Sequence, residues 1–466
     1  MKKTGIRGQG SGVGVLLALL ATPLAAQTSL SIYSDGRVVV RKTIAQRLDK
    51  GRNIFSFDLP GLDPATLFSP DSSVAVTSAV LRPATDLETA MRNSIGRTVT
   101  FVRGKGDTIQ ATVLSVTPPQ FKMPNGLLQL AQPGEPLFPA EAGLIRTKPE
   151  AVVTLEASRV RENTDLVYVS QGVTWEAVYQ AVLGGSGSAT VTGAATINSA
   201  ALRVDSASVQ LVAGSINRAR SPAAPMMQAA GAFMRDEAAK SVAYAQEETV
   251  GETHVYELPG LISFDIGSPL TTALFPRARA DYVQEFVVPG AVPWRGYFGP
   301  MAPDPNAVPV QVWYTFKRAH GTAFGDRPIP GGTMQLFQRD SSGRVQLVGE
   351  AAFTHTPAGK DLRVQSGDAF DVTAERVQTD YHQASIPNTP PARGSHSRVT
   401  ASYRVTLTNA KNQAVTVDVR EDHWGNWSII DSSVAPEKLS SSEQRFRVPV
   451  PANGTATLTY TVQVDS

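Results

Sequence analysis

The chain has 466 residues and not one cysteine. That absence excludes disulfides, a thiol-linked lipid anchor, thiolate metal sites and a cysteine nucleophile, so stability must come from buried apolar surface. Histidine is also scarce. The six, at 254, 320, 355, 382, 396 and 423, never fall within four residues of one another, which is the spacing a helical metal site uses. No metal and no cofactor are expected. Several catalytic signatures are missing outright: no His-Glu-x-x-His, no Ser-x-x-Lys, no Gly-x-Ser-x-Gly elbow and no phosphate-binding P-loop. Charge of one sign is missing too. Lys and Arg total 43 against 41 Asp and Glu, and the formal +2 becomes −1 once Lys2, Lys3 and Arg7 are set aside, so nucleic acid is not an expected partner. Beyond the first 27 residues, no apolar run approaches the ~20 needed to span a bilayer.

The amino terminus does carry a short apolar run. Lys2, Lys3 and Arg7 precede the apolar residues 13–21, and Thr22-Pro23-Leu24-Ala25-Ala26-Gln27 supplies a helix break and small residues for cleavage. This reads as a secretory signal peptide, 1–26, cleaved near Ala26. The expectation is a bacterial envelope protein, periplasmic or secreted, with no transmembrane anchor after cleavage. The remaining chain of about 440 residues is too long for one core and predicts several units.

Period-two alternation predicts strands throughout. Asp35-Gly36 sits between two β-prone runs and predicts an opening hairpin. Residues 53–59, with Phe55, Phe57 and Leu59 on one face, and 74–81 are expected to extend the same sheet, which gives a β region over 27–92. Thr85-x-x-Glu88 reads as a capping box opening a short helix that ends near Gly96. Short strands at 97–103, 108–116 and 127–130 predict a small β-barrel or meander inserted at 93–147. Strands resume over 148–217, in a β region continuous with the C-terminal part.

At 218–250 the composition turns to Ala, Met, Gln and Glu, and a disordered or partly helical linker is expected. The competing reading is an amphipathic helix carrying Met226, Met227, Ala230, Phe233 and Met234. Over 251–466 the alternation is clearest. Tyr403, Val405 and Leu407, then Val415, Val417 and Val419, Phe446, Val448 and Val450, and Leu458, Tyr460, Val462 and Val464 each mark one face of a strand. The expected class is all-β: multidomain antiparallel β-sandwiches, immunoglobulin-like at the C-terminus.

Three stretches carry residues that could do chemistry or binding. His355, after a strand, could act as a base oriented by Asp368 or Asp371; the alternative is that His355 bonds backbone and the aspartates satisfy turn amides. In Glu421-Asp422-His423-Trp424-Gly425-Asn426-Trp427, Trp427 reads as a core aromatic. Trp424 reads as exposed, able to stack on a sugar or peptide or to cap a hairpin. Trp294-Arg295-Gly296-Tyr297-Phe298 carries the same ambiguity.

Trp175-x-x-x-Tyr179, Ile197-Asn198 and 211–218 (Leu-Val-Ala-Gly-Ser-Ile-Asn-Arg) open a longer series of recognisable segments. It continues through Pro330-Gly331-Gly332-Thr333-Met334, Gly349-Glu350, His355-Thr356-Pro357, Gly367-Asp368-Ala369-Phe370-Asp371-Val372, Asn409-Ala410-Lys411, Trp427-Ser428-Ile429 and Leu458-Thr459-Tyr460-Thr461-Val462. In order and spacing these resemble the domain-of-unknown-function family 4139 (DUF4139), over about 290 residues. Tyr33-Ser34-Asp35-Gly36 and Ile95-Gly96-Arg97-Thr98-Val99 resemble the portion that often precedes that domain. The resemblance implies an exported bacterial β-rich protein of unassigned activity, with some mucoidy-inhibitor-like relatives, and brings no catalytic residues.

The functional expectation is non-enzymatic binding or scaffolding in the cell envelope, with an envelope protein or a glycan as partner. One alternative is an envelope-acting hydrolase around His355, Asp368 and Asp371. The other is a carbohydrate-binding protein using exposed aromatic loops.

Overall fold

The computed structural model describes residues 28–139, 145–214, 245–250, 253–290, 306–386, 396–423 and 425–465. The leader at 1–26, residues 218–244 of the linker reading, the aromatic patch at 294–298 and Trp424 lie outside the described residues.

The fold is all-β in several sheets, with a single α-helix among the described residues. The opening hairpin joins Thr28–Tyr33 to Arg37–Ile44 in antiparallel register, Leu30 opposite Val40. Gly36 supplies the positive φ, +91°, that the turn needs. Leu30, Ile32, Val38 and Val40 point inward, as the period requires. The hairpin lies inside a seven-stranded sheet, with Thr164–Gln171 on one side and Val204–Ala213, Thr253–Glu257 and Gln246–Val250 on the other; Ile262–Phe264 pairs the start of Val204–Ala213.

The strands expected to extend this hairpin do not join it. Gly51–Phe57 and Val74–Arg82 instead flank Glu150–Ala157 in a separate three-stranded sheet. Its alternating Val153 and Leu155 are wholly buried, so the apolar faces of the two sheets meet rather than share an edge.

Between Val74–Arg82 and its neighbour Glu150–Ala157 the chain leaves to form a five-stranded sheet, in the order Leu128–Gln129, Gln120–Lys122, Thr108–Ser115, Thr98–Val102, Glu135–Leu137. It has its own core of Met91, Val99, Phe101, Ala111, Val113 and Phe121. The preceding helix, Leu87–Asn93, is capped by Asp86, whose carboxylate accepts the Thr89 N–H at 2.7 Å. Thr85, expected to be the cap, instead accepts the Arg146 N–H at 2.9 Å, tying the exit of the insert to its entry. The helix therefore starts one residue later than the capping-box reading places it.

A ten-stranded sheet runs Val345–Phe353, Gly332–Arg339, Val173–Leu183, Ser188–Ser199, Leu270–Val288, Val415–Asp422, Glu443–Val450, Pro436–Lys438, with Gln311–Phe316 and Leu362–Asp368 branching from Leu270–Val288. A five-stranded sheet orders Asn306–Val308, Val372–Ile386, His396–Asn409, Gly454–Asp465 and Asn426–Ser432. The last two sheets pack face to face at the C-terminal end. Val417, Val419, Phe446 and Val448 come from one, Val405, Leu407, Leu458 and Tyr460 from the other, and the Phe446 and Tyr460 rings stand 5.1 Å apart.

Most ladders are antiparallel, but three are parallel: Thr28–Tyr33 on Val204–Ala213, Val173–Leu183 on Gly332–Arg339, and Leu270–Val288 on Val415–Asp422. Each joins stretches far apart in sequence, as parallel pairs must. Residues 246–250, placed in the linker by composition, form a strand on Thr253–Glu257. One hydrophobic cluster, from Leu30 to Tyr460, runs through every sheet except that of the insert. Among the described residues no helix is long and apolar enough to cross a membrane.

Candidate functional site

A concavity of about 860 Å³ opens at the end of the seven-stranded sheet where Thr28–Tyr33 begins. Its floor is a cross-strand row: Tyr168 opposite Val40, and Val40 opposite Leu30. Two residues along the same face, Thr28 stands opposite Lys42, so alternation carries the floor from apolar to cationic at the mouth. Asp58 and Pro60 form one wall, Lys148 another, and Leu202 to Ser206 with Leu261 close the third. Leu30, Val40, Tyr168 and Leu202 are buried, whereas Leu261 is 56% exposed at the lip.

The polar groups of this cleft differ in what holds them. The Tyr168 hydroxyl donates to the Pro60 carbonyl at 3.1 Å, and burial pushes its pKa well above that of a free phenol. Arg203 is shared between Asp205 at 3.1 Å and Asp265 at 3.2 Å. Lys42 donates to the main-chain carbonyl of Asp58 at 2.8 Å, and Lys148 is exposed. Among the described residues neither ammonium has a carboxylate within ion-pair distance.

The histidine and aspartates read as a possible hydrolytic set are not gathered. His355 accepts the Gly331 N–H on Nδ1 at 2.9 Å, so the ring fastens the loop after Val345–Phe353 to the start of Gly332–Arg339. Burial, with a smaller contribution from nearby His254, lowers its pKa. The loop that follows is clipped by Arg318, a fully buried side chain that donates to the Phe324, Pro357 and Lys360 carbonyls at 3.1, 2.7 and 3.0 Å. Only then does Leu362–Asp368 begin, and at ~3.3 Å per residue its far end, Asp368, lies roughly 20 Å further on. Asp371 is turned elsewhere again, 3.8 Å from Lys411, with its carbonyl accepting the Ala410 N–H at 2.7 Å.

In the 421–427 segment Glu421, His423 and Trp427 are interior, whereas Gly425 and Asn426 are exposed. Glu421 pairs with Arg376 at 2.7 Å with both side chains buried, and burial raises the pKa of the glutamate. His423 lies 3.1 Å from the Gln444 amide, and its ring is 5.0 Å from that of Trp427. Trp427 is buried and donates to the Ser441 carbonyl at 2.7 Å, with the Lys438 ammonium 4.5 Å over its ring. These contacts hold the two C-terminal sheets together.

Sequence reasoning missed the cleft residues Lys42, Lys148, Arg203 and Leu261. It also missed a carboxylate–imidazole pair, Glu247 to His254 at 2.7 Å, on the strands Gln246–Val250 and Thr253–Glu257. The one available signal for the cleft was Lys42, a cation on the inward period of a strand. Among the described residues no three His, Asp or Glu side chains gather as a metal site.

Comparison of the chain with protein-family models, with curated proteins and with solved structures finds no match.

Proposed function

We propose that this is an exported envelope protein that acts by binding, with the cleft at the end of the seven-stranded sheet as its site. The observation that carries the reading is that one cleft is lined by a buried apolar row, Leu30, Val40 and Tyr168, and by two ammonium groups that, among the described residues, have no carboxylate within ion-pair distance. A volume of about 860 Å³ lies in the ~300–1,000 Å³ range of small-molecule sites. Supporting the preference for binding over hydrolysis, His355 spends its Nδ1 lone pair on a backbone amide and Asp371 faces Lys411. Membership of the DUF4139 family belongs to the same proposal; its support is the ordered series of segments from Trp175 to Val462, with no matching family model beside it. Export is likewise part of it, supported by the basic and apolar residues that precede Gln27.

Native mass spectrometry of the protein recovered from its own envelope tests the reading. The wild type should retain a small molecule, and Ser206→Trp, at an exposed lining position, should come off the column without it. Equal retention by both proteins, or turnover of an envelope substrate lost on His355→Ala, would overturn it.

A further inference from the structure

We infer that the ligand of this cleft is an amphiphilic anion: a single carboxylate or phosphate head joined to an apolar body. The inference rests on the reading of the cleft as the binding site and names its ligand class. The head is set by charge. Lys42, Lys148 and Arg203 line the cleft against Asp58 and Asp205, an excess of one positive charge, and the cations are not equivalent. Arg203 is already met by Asp205 and Asp265. Among the described residues the Lys42 ammonium donates to one group, the neutral main-chain carbonyl of Asp58, and an ammonium carries three donors, so two are open to a ligand. Lys148 brings a second ammonium from a different stretch of chain, just ahead of Glu150–Ala157. Two ammonium groups lining one cleft match a carboxylate or phosphate and repel a cation.

The body is set by the floor. Leu30, Val40, Leu202 and Leu261 are aliphatic, and the one polar group set deep in that wall, the Tyr168 hydroxyl, is committed to the Pro60 carbonyl. A neutral sugar needs many donors and acceptors around it, and this wall offers few. A bare inorganic anion would leave most of the volume unfilled. An alkyl or aryl body meets the wall without leaving a polar group unpaired.

The test uses the full chain with labelled Leu and Val methyl groups and four probes: laurate, dodecyl phosphate, acetate and dodecanol. Laurate or dodecyl phosphate should shift the methyl signals of Leu30, Val40, Leu202 and Leu261 saturably, and the tighter of the two identifies the head. Acetate and dodecanol should each bind at least about tenfold more weakly. The double variant Lys42→Gln, Lys148→Gln, at positions outside the core, should weaken the anion about tenfold and leave the rest of the spectrum in place. If dodecanol binds as tightly as laurate and the double variant changes nothing, the cleft is a site but its ligand is not an anion. If no probe moves these methyl groups, the binding reading of the cleft falls with the inference.

Discussion

His423 shows what a buried polar residue does in this fold. Burial holds its pKa at about 4, against ~6.5 for a free imidazole. Between those two values the unfolded chain takes up a proton that the folded chain refuses. Stability contributed by this residue is therefore complete above about pH 6.5, falls as the pH drops towards about 4, and levels off below, by roughly 3–4 kcal/mol in all. His423→Gln keeps a polar partner for Gln444 and removes the titration. Urea unfolding at pH 4, 5, 6 and 7 should show a shallower loss of stability in the variant than in the wild type; equal slopes would contradict the assignment. His355 shifts in the same direction, so the difference between the two proteins, rather than the wild-type slope, isolates His423.

Among the elements, strands whose two faces make opposite demands were the most legible in the sequence. Val417 is wholly buried between the C-terminal sheets, whereas Thr459 is exposed and lies opposite Arg404. Val417→Asp places an unpaired carboxylate in the core and should cost roughly 3–5 kcal/mol. Thr459→Glu puts a carboxylate beside an arginine in water and should change stability by less than ~0.5 kcal/mol. Thermal melts of the two full-length variants compare them directly, and damage by the second rather than the first would reverse the assigned faces. Partnership between strands was far less legible. Ser29 pairs with Ser208 across the whole amino-terminal half, and alternation says which way a side chain points without saying which strand lies beside it. Gln246–Val250 was hidden for a different reason: as the edge of its sheet it pairs on one side only, so it tolerates two glutamates and a glutamine that look like linker. The helix cap was missed by one residue because Thr85 and Asp86 are both good caps, and only the fold shows that Thr85 is taken by Arg146.

For the whole molecule, one hydrophobic cluster unites the seven-, three- and ten-stranded sheets and the C-terminal five-stranded sheet, and this replaces the covalent ties that a cysteine-free chain lacks. The lining of the cleft comes from stretches far apart in the chain, residues 28, 30, 40, 42, 58, 60, 148, 168, 202–206 and 261. Such a site has little local signature. Lys42 stands out only as a lone cation on the inward period of its strand, while Lys148 reads as part of a Pro-containing approach and Arg203 as a turn residue. The candidates that did stand out in the sequence, His355, Asp368, Asp371 and Trp427, stood out for their residue types, and the fold uses His355 and Trp427 to fasten loops and layers. Hydrogen exchange of the purified protein, with and without a small-molecule extract of its source cells, tests the central claim most directly. Slower exchange confined to 28–30, 40–42 and 202–206 is the result expected if the cleft is the binding site. Unchanged exchange there, with protection instead around Gly331 and His355, would contradict it.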